Sequence, residues 1–262
     1  MNHLPVRNPF NAPVYHEETI GSTMDVSRIL ASQGEGHGTV IVADFQEAGR
    51  GRVHGRSWET EKGSSLLFTI LLRYPGPQDI PPVLTLRTGL AVALAIEVFA
   101  PALAGRIMIK WPNDILISGK KAAGILAEAD GGNVHIGIGV NVAQWKFPKH
   151  LRDKAASVGL ASGGEIDSVD RFALLGMILA RLYDEIEKAD ASGVDWKSRI
   201  EARLYKKGEQ VNFSVGAADS GNTVSGTLAG IGEGGELLIL PAGEITPRSF
   251  LTGELMLHSF HA

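Results

Sequence analysis

The chain has 262 residues, 44% of them apolar and 21% charged, and a formal net charge of −4. It is long enough to bury a core without covalent staples. Having no cysteine, it has no disulfides, thiolate metal sites or cysteine nucleophile. No apolar run reaches bilayer length. Pro5, Pro9 and Pro13 interrupt the stretch where a secretory leader would need a continuous apolar segment. The acidic balance argues against a nucleic-acid partner. The expectation is a cytoplasmic protein with no membrane and no DNA partner.

In chain order, residues 1–15 read as an irregular lead-in. Ser22 offers a helix cap and Asp25 suits the positive end of a helix dipole, so a helix is expected to about Ser32. Thr39–Phe45 is β-branched and bounded by loop residues, which predicts a strand. Leu66–Leu72 is continuously apolar and reads as a strand buried on both faces. Leu84–Phe99 is apolar nearly all round, as in a buried helix. From Ile107 to Val142, the runs Ile107–Ile109, Ile115–Ile117, Ala122–Glu128 and Val134–Val142 predict consecutive, mostly antiparallel strands. Phe172, Leu175, Leu179, Leu182 and Ile186 share one helical face, with Asp167 or Ser168 as the expected cap. Beyond residue 205 the texture changes to short strands (Val211–Val215, Val224–Ile231, Glu236–Leu240, Leu255–Phe260) between glycine-rich turns, the pattern of a small barrel. The expected domains are therefore 1–205 and 206–262.

Two apparent nucleotide motifs fail on context. Gly230–Gly235 matches G-x-G-x-x-G but leads into a strand, so no helix N-terminus is there to hold a pyrophosphate. Gly119-Lys120 resembles the end of a phosphate-binding loop, but Lys121 stands where Ser or Thr is needed. None of the eight histidines pairs at metal-ligand spacing.

The informative segment runs from Gln46 to Trp58, where Gly49, Gly51 and Gly55 alternate with Arg50, Arg52 and Arg56 directly after a predicted strand. Glycine lets backbone amides approach an anion, and arginine supplies forked donors for phosphate or carboxylate. Alone, this stretch reads equally as a basic surface loop or an RGG-type nucleic-acid tract. A second segment decides between them: Lys110-Trp111-Pro112-Asn113-Asp114, followed by Lys121-Ala122-Ala123-Gly124-Ile125-Leu126. Together the two segments resemble the biotin–protein ligases, which carry a G-R-G-R-x-G-R-x-W loop, a K-W-P-N-D turn and a K-x-x-G-I-L strand in that order. Ser22-Thr23 and Gly137–Val142 add to the likeness, which covers Tyr15 to Val142 by motif.

The resemblance implies a mixed α+β catalytic domain, a central β-sheet with flanking helices of the biotin/lipoate ligase type, followed by an SH3-like barrel. It implies activation of biotin by ATP and Mg²⁺ to biotinyl-5′-adenylate, then transfer to a lysine of a biotin carboxyl carrier domain. It also implies that no metal site is built from the protein alone, Mg²⁺ entering with ATP, and it allows a homodimer. By the same resemblance, Lys121, Arg52 and Asp114 are catalytic. Ser22, Thr23, Met24, Gln46, Gly49, Arg50, Gly51, Arg52, Lys121 and Gly124 bind biotin, while Arg56, Trp58, Lys110, Asn113 and Asn141 serve the nucleotide.

Two positions depart from the family pattern. Met24 stands where Asn is common, leaving only a backbone contact to biotin there. Val53-His54 stands where one residue is usual, so the arginine loop must absorb an extra residue between Arg52 and Arg56. A lipoate or octanoate ligase of the same fold is the alternative, but the R-R-x-x-G-G-G stretch of those relatives is missing. A biotin-responsive repressor would need a winged helix-turn-helix ahead of Ser22, for which no room is expected. A non-catalytic biotin binder would not need the nucleotide motifs.

Overall fold

The computed structural model describes residues 1–52, 55, 58–81, 83–164, 166, 168–188, 195–216 and 222–256. Eight strands form the main sheet: β1 (Asn2–His3), β2 (Val14–Ile20), β3 (Thr39–Gln46), β4 (Ser65–Arg73), β5 (Ile107–Lys110), β6 (Asp114–Ile117), β7 (Lys120–Asp130) and β8 (Asn133–Asn141). Their order is β1-β2-β3-β4-β8-β7-β6-β5. Every neighbouring pair is antiparallel except β2 and β3, which flank helix α1 (Thr23–Ser32) as a β-α-β unit. The lead-in is thus not wholly irregular. The segment Val14–Ile20 (VYHEETI) is polar and mostly half-buried or exposed, so it lacks the apolar alternation by which a strand is recognised.

The sheet separates two environments because side chains alternate along each strand. Val40, Val42, Leu66, Phe68, Ile70, Leu72, Ile136, Ile138 and Val140 belong to the main core. On this side lie α2 (Leu84–Phe99) and α4 (Arg171–Tyr183), packed against each other. Helix α2 is buried around most of its circumference, which explains its lack of a polar face. The opposite face carries α1, over β3, β4 and β8. Two short helices, α3 (Val158–Ser162) and α5 (Trp196–Glu201), join the later elements. The fourth helix begins at Arg171 after a 3₁₀ turn over Ser168–Asp170. Its cap position is Asp170, not Ser168 as expected, and Asp167 lies outside the described residues.

The C-terminal segment forms a five-stranded antiparallel sheet from β9 (Gln210–Val215), β10 (Thr223–Ile231), β11 (Leu237–Pro241), β12 (Arg248–Phe250) and β13 (Gly253–Leu255), in the order β12-β11-β10-β9-β13. The end strands β12 and β13 do not pair with each other, so the expected barrel is an open small sheet. The strand expected over Leu255–Phe260 ends at Leu255, and residues 257–260 lie outside the described set. The glycine run at Gly230–Gly235 forms the turn from β10 to β11, closed by Gly232 N–H to Glu236 O at 2.8 Å. Among the described residues, no helix is long and apolar enough to cross a membrane.

Candidate active site

On the α1 side of the sheet, paired residues fall into rows. Leu67 lies opposite Gly139, and Gly139 opposite Gly124. Thr69 lies opposite Gly137, and Gly137 opposite Leu126. Strand β8 therefore alternates apolar residues toward α2 with glycines toward α1. Lacking side chains at three central positions, the sheet forms a trough. A Cβ at Gly139 would lie 2.9 Å from the Trp58 ring, one at Gly124 3.0 Å from the same ring, and one at Gly137 3.0 Å from Met24 Sδ. The cleft above this floor is open to solvent and spans about 550 Å³.

Helix α1 closes one end of the cleft. Ser22 caps it, its Oγ accepting from Met24 N–H at 3.3 Å. The backbone N–H of Met24 thus already has a partner within the chain. The Met24 side chain instead lines the cleft over Gly137. Thr23 N–H and Thr23 Oγ1 both donate to Gln46 Oε1, at 2.7 and 2.9 Å. The polar end of the cleft is therefore made by the last residue of β3 and the first residue of α1.

Arg50, Gly51 and Arg52 line the same cleft. The loop that carries them is closed at its base by Trp58 N–H to Gly49 O at 3.2 Å. Gly49 thus serves the loop's shape without lining the cleft. Arg50 Nη2 lies 2.5 Å from Asp25 Oδ1 on α1. Arg52 reaches the other way, its Nη2 donating to Gly253 O on β13 at 2.9 Å. Val53, His54 and Arg56 lie outside the described residues, so the extra loop residue and the expected role of Arg56 lie there too.

Lys121 enters the cleft through an irregularity in pairing. Asp114 pairs with Gly124 and Ile115 with Ala123, but Leu116 pairs with Lys121, leaving Ala122 as a bulge. Such an extra residue re-aims the side chains on one side of it. Ala122 and Ala123 both enter the core, and Lys121 returns to the face of Gly124, with Cε 3.2 Å from where a Cβ at Gly124 would lie. Its Nζ lies 2.6 Å from Asp114 Oδ1 and 5.7 Å from the centre of the Trp58 ring. Asn113 is held by Nδ2–H to Ile125 O at 2.7 Å.

A second cleft of about 540 Å³ opens beyond Lys121, sharing Gly51, Arg52, Trp58, Asn113 and Lys121 with the first. Lys110, Trp111, Pro112, Asp114 and Glu254 complete its lining. Lys110 is buried, with Nζ 3.7 Å from Glu254 Oε1. Trp111 Nε1–H donates to Gly235 O at 2.9 Å and its ring packs near Phe213, which docks the C-terminal sheet on this turn.

Fifteen of the expected site residues are described. Thirteen of these line one cleft or both, and Gly49 shapes the loop. Asn141 stands apart. Its Nδ2–H donates to Ala156 O at 3.0 Å, it is buried, and it lines neither cleft. Sequence reasoning named Gly124 but did not assign Gly137 and Gly139 to the floor, although the alternation V-H-I-G-I-G-V on β8 carried the signal. It also missed Asp25 and the contribution of Gly253 and Glu254, which no local pattern connects to the arginine loop. Chemically, the two joined clefts set hydrogen-bonding groups at one end, an apolar trough in the middle, and Arg52, Lys121 and Lys110 toward the other. That suits a ligand with a polar head, an apolar body and an anionic tail, beside a second anion.

A sequence model of the biotin/lipoate A/B protein ligase family matches residues 18–143. The biotin--[acetyl-CoA-carboxylase] ligase of Paracoccus denitrificans is 32% identical over 212 residues, covering 78% of this chain and 85% of that protein. The bifunctional ligase/repressor BirA of Bacillus spizizenii is 42% identical over 159 residues, 58% of this chain but only 48% of that protein. The chain thus spans about half the length of the first curated relatives it matches. Among solved structures, the biotin protein ligase of Aquifex aeolicus in complex with biotin and ATP superposes with a TM-score of 0.76 at 29% identity, covering 93% of this chain and 97% of that one.

Proposed function

The chain belongs to the biotin–protein ligase family, and from that premise we propose that it joins biotin to ATP as biotinyl-5′-adenylate and passes the biotinyl group to a lysine of a biotin carboxyl carrier domain. The observation that carries this reading is the convergence of Thr23, Gln46, Arg50, Arg52 and Lys121 on a single glycine-floored cleft. In this reading Thr23 and Gln46 take the ureido ring, with Ser22 capping the helix behind them. Leu67, Leu126, Met24 and the glycine floor take the ring body and the valeryl chain. Lys121 and Arg52 face the carboxylate and the α-phosphate.

The reaction brings two anions together, and fixed cations at the meeting point lower its barrier by neutralising charge that grows in the transition state. The carboxylate oxygen attacks the α-phosphorus and pyrophosphate leaves. The carrier lysine's amine then attacks the acyl carbon, and AMP leaves. Asp114, beside Lys121 and open to the second cleft, is placed to orient the incoming amine. Lys110, Trp58 and Asn113 line the space assigned to the nucleotide. In this reading Mg²⁺ would enter with ATP, held by its phosphate oxygens. We assign residues 1–205 to the catalytic unit and residues 206–262 to the C-terminal unit that reaches the second cleft through Glu254.

The test incubates the protein with a carboxyl carrier domain, Mg-ATP and either biotin or lipoate, and weighs the carrier by mass spectrometry. A mass gain on one lysine with biotin alone is expected. Labelling with lipoate in preference to biotin would overturn the assignment.

A further inference from the structure

Thr69 lies on β4, fully buried beneath the cleft, and is not among the residues that line it. Its Oγ1 sits 2.8 Å from Thr23 Oγ1. The direction of that bond follows from its neighbours. The backbone N–H of Thr23 can only donate, so the atom of Gln46 that meets it at 2.7 Å must be the carbonyl oxygen, Oε1. The Thr23 hydroxyl reaches the same oxygen at 2.9 Å, and an amide oxygen cannot donate. The single proton of Thr23 Oγ1 is therefore committed to Gln46. The hydroxyl of Thr69 must then donate to Thr23, and the order of protons runs from Thr69 to Thr23 to Gln46.

This order has a consequence at the cleft. With its proton committed, Thr23 Oγ1 meets a ligand only as an acceptor. With Oε1 committed, Gln46 keeps its Nε2 end, the donor end, for a ligand. We propose that Thr69 is a positioning residue that holds this arrangement in place, keeping the polar end of the cleft an acceptor–donor pair matched to adjacent N–H and C=O groups of a cyclic urea. The assignment rests on the biotin reading above. Without the Thr69 hydroxyl, Thr23 loses the donor that orders it. Its Oγ1 is then held by Gln46 alone, and the acceptor it offers to the ligand's N–H is no longer fixed in position. Thr69 touches neither ATP nor the reacting atoms, so the effect falls on biotin recognition alone.

Steady-state pyrophosphate release by the full chain tests this with Thr69→Val, which keeps the shape and removes the hydroxyl, and with Thr69→Ser, which keeps the hydroxyl. Thr69→Val should raise KM for biotin about tenfold, the worth of one neutral hydrogen bond, leaving kcat and KM for ATP near wild type. Thr69→Ser should restore KM for biotin. Thr69→Ala supplies the hydroxyl-free comparison should the valine variant fail to fold. A wild-type KM for biotin in Thr69→Val would overturn the proposal. So would equal impairment in Thr69→Ser, which would make the effect one of packing. A wild-type chain that releases no pyrophosphate with biotin would instead overturn the proposed function itself.

Discussion

Asp114 and Lys121, on adjacent strands β6 and β7, meet across the mouth of the cleft with Oδ1 and Nζ 2.6 Å apart. The pair leaves Lys121 more than a third exposed while Asp114 is largely covered, so the ammonium group is the partner that can turn toward a ligand. We expect Lys121→Ala to lower biotin-dependent pyrophosphate release by about 100- to 1,000-fold, the loss typical of one charge-stabilising donor at a reacting centre. Circular dichroism should show the fold retained. Near-normal release would remove Lys121 from the chemistry.

Arg52 ties the glycine loop to Gly253 O on the C-terminal sheet and lines both clefts. Arg52→Gly removes that tie and the guanidinium together. The expected result is that the adenylate still forms but escapes, and biotin appears on unrelated lysines. Blotting albumin incubated with each enzyme, biotin and ATP measures this. An unchanged signal alongside normal adenylate formation would show that Arg52 does not retain the intermediate.

The expected biotin contacts all precede residue 205, whereas Glu254 and the Arg52–Gly253 bond belong to the C-terminal sheet. A chain ending at Tyr205 keeps the backbone bond from Tyr205 N–H to Ile109 O that closes the main sheet's edge. It should bind biotin measurably by calorimetry yet fail to label the carrier domain. Full labelling would make the C-terminal sheet dispensable.

Gly139 tests the floor. A methyl group there lies 2.9 Å from the Trp58 ring, and moving a packed aromatic costs about 1–3 kcal/mol. Gly139→Ala should raise KM for biotin by roughly 5- to 150-fold at that cost. An unchanged KM would mean that Trp58 moves aside freely.

His135 is buried on the α1 face, its Nδ1 2.7 Å from Ser27 Oγ. Burial holds its pKa below the ordinary 6.5, and the nearby charge of Arg28 pushes the same way. The unfolded chain therefore binds a proton that the folded chain resists. The stability this contributes is complete above pH 6.5 and is lost as pH falls through the lower, folded value. Thermal melts between pH 7.5 and 5 should show the wild type losing Tm more steeply than His135→Gln. Parallel curves would assign the acid sensitivity elsewhere. Asp44 is one such group: burial opposes its ionisation, but bonds from His16 and Arg171 outweigh this and lower its pKa. Its stabilising share is lost at more acidic pH.

Local pattern sufficed where one short segment carries both the chemistry and its geometry. The capped start at Ser22, the apolar run Leu66–Leu72 and the all-apolar Leu84–Phe99 each became the element their residues favour, because burial on one or both faces is written in their periodicity. The arginine loop and the Lys110–Asp114 turn were legible for the same reason, as compact runs of donors and glycines. Tertiary structure alone decided what depends on partners distant in sequence. Strand β2 is too polar to announce itself and exists because β3 pairs with it. Lys121 would face away from Gly124 in a regular strand, and the bulge at Ala122, set by pairing with β6, turns it into the cleft. Asn141 belongs to a motif shared with the family, yet its amide is held at Ala156. Asp25, Thr69, Gly253 and Glu254 acquire their places only when strands and helices far apart in the chain are brought within hydrogen-bond reach, a distance relationship that side-chain periodicity does not encode.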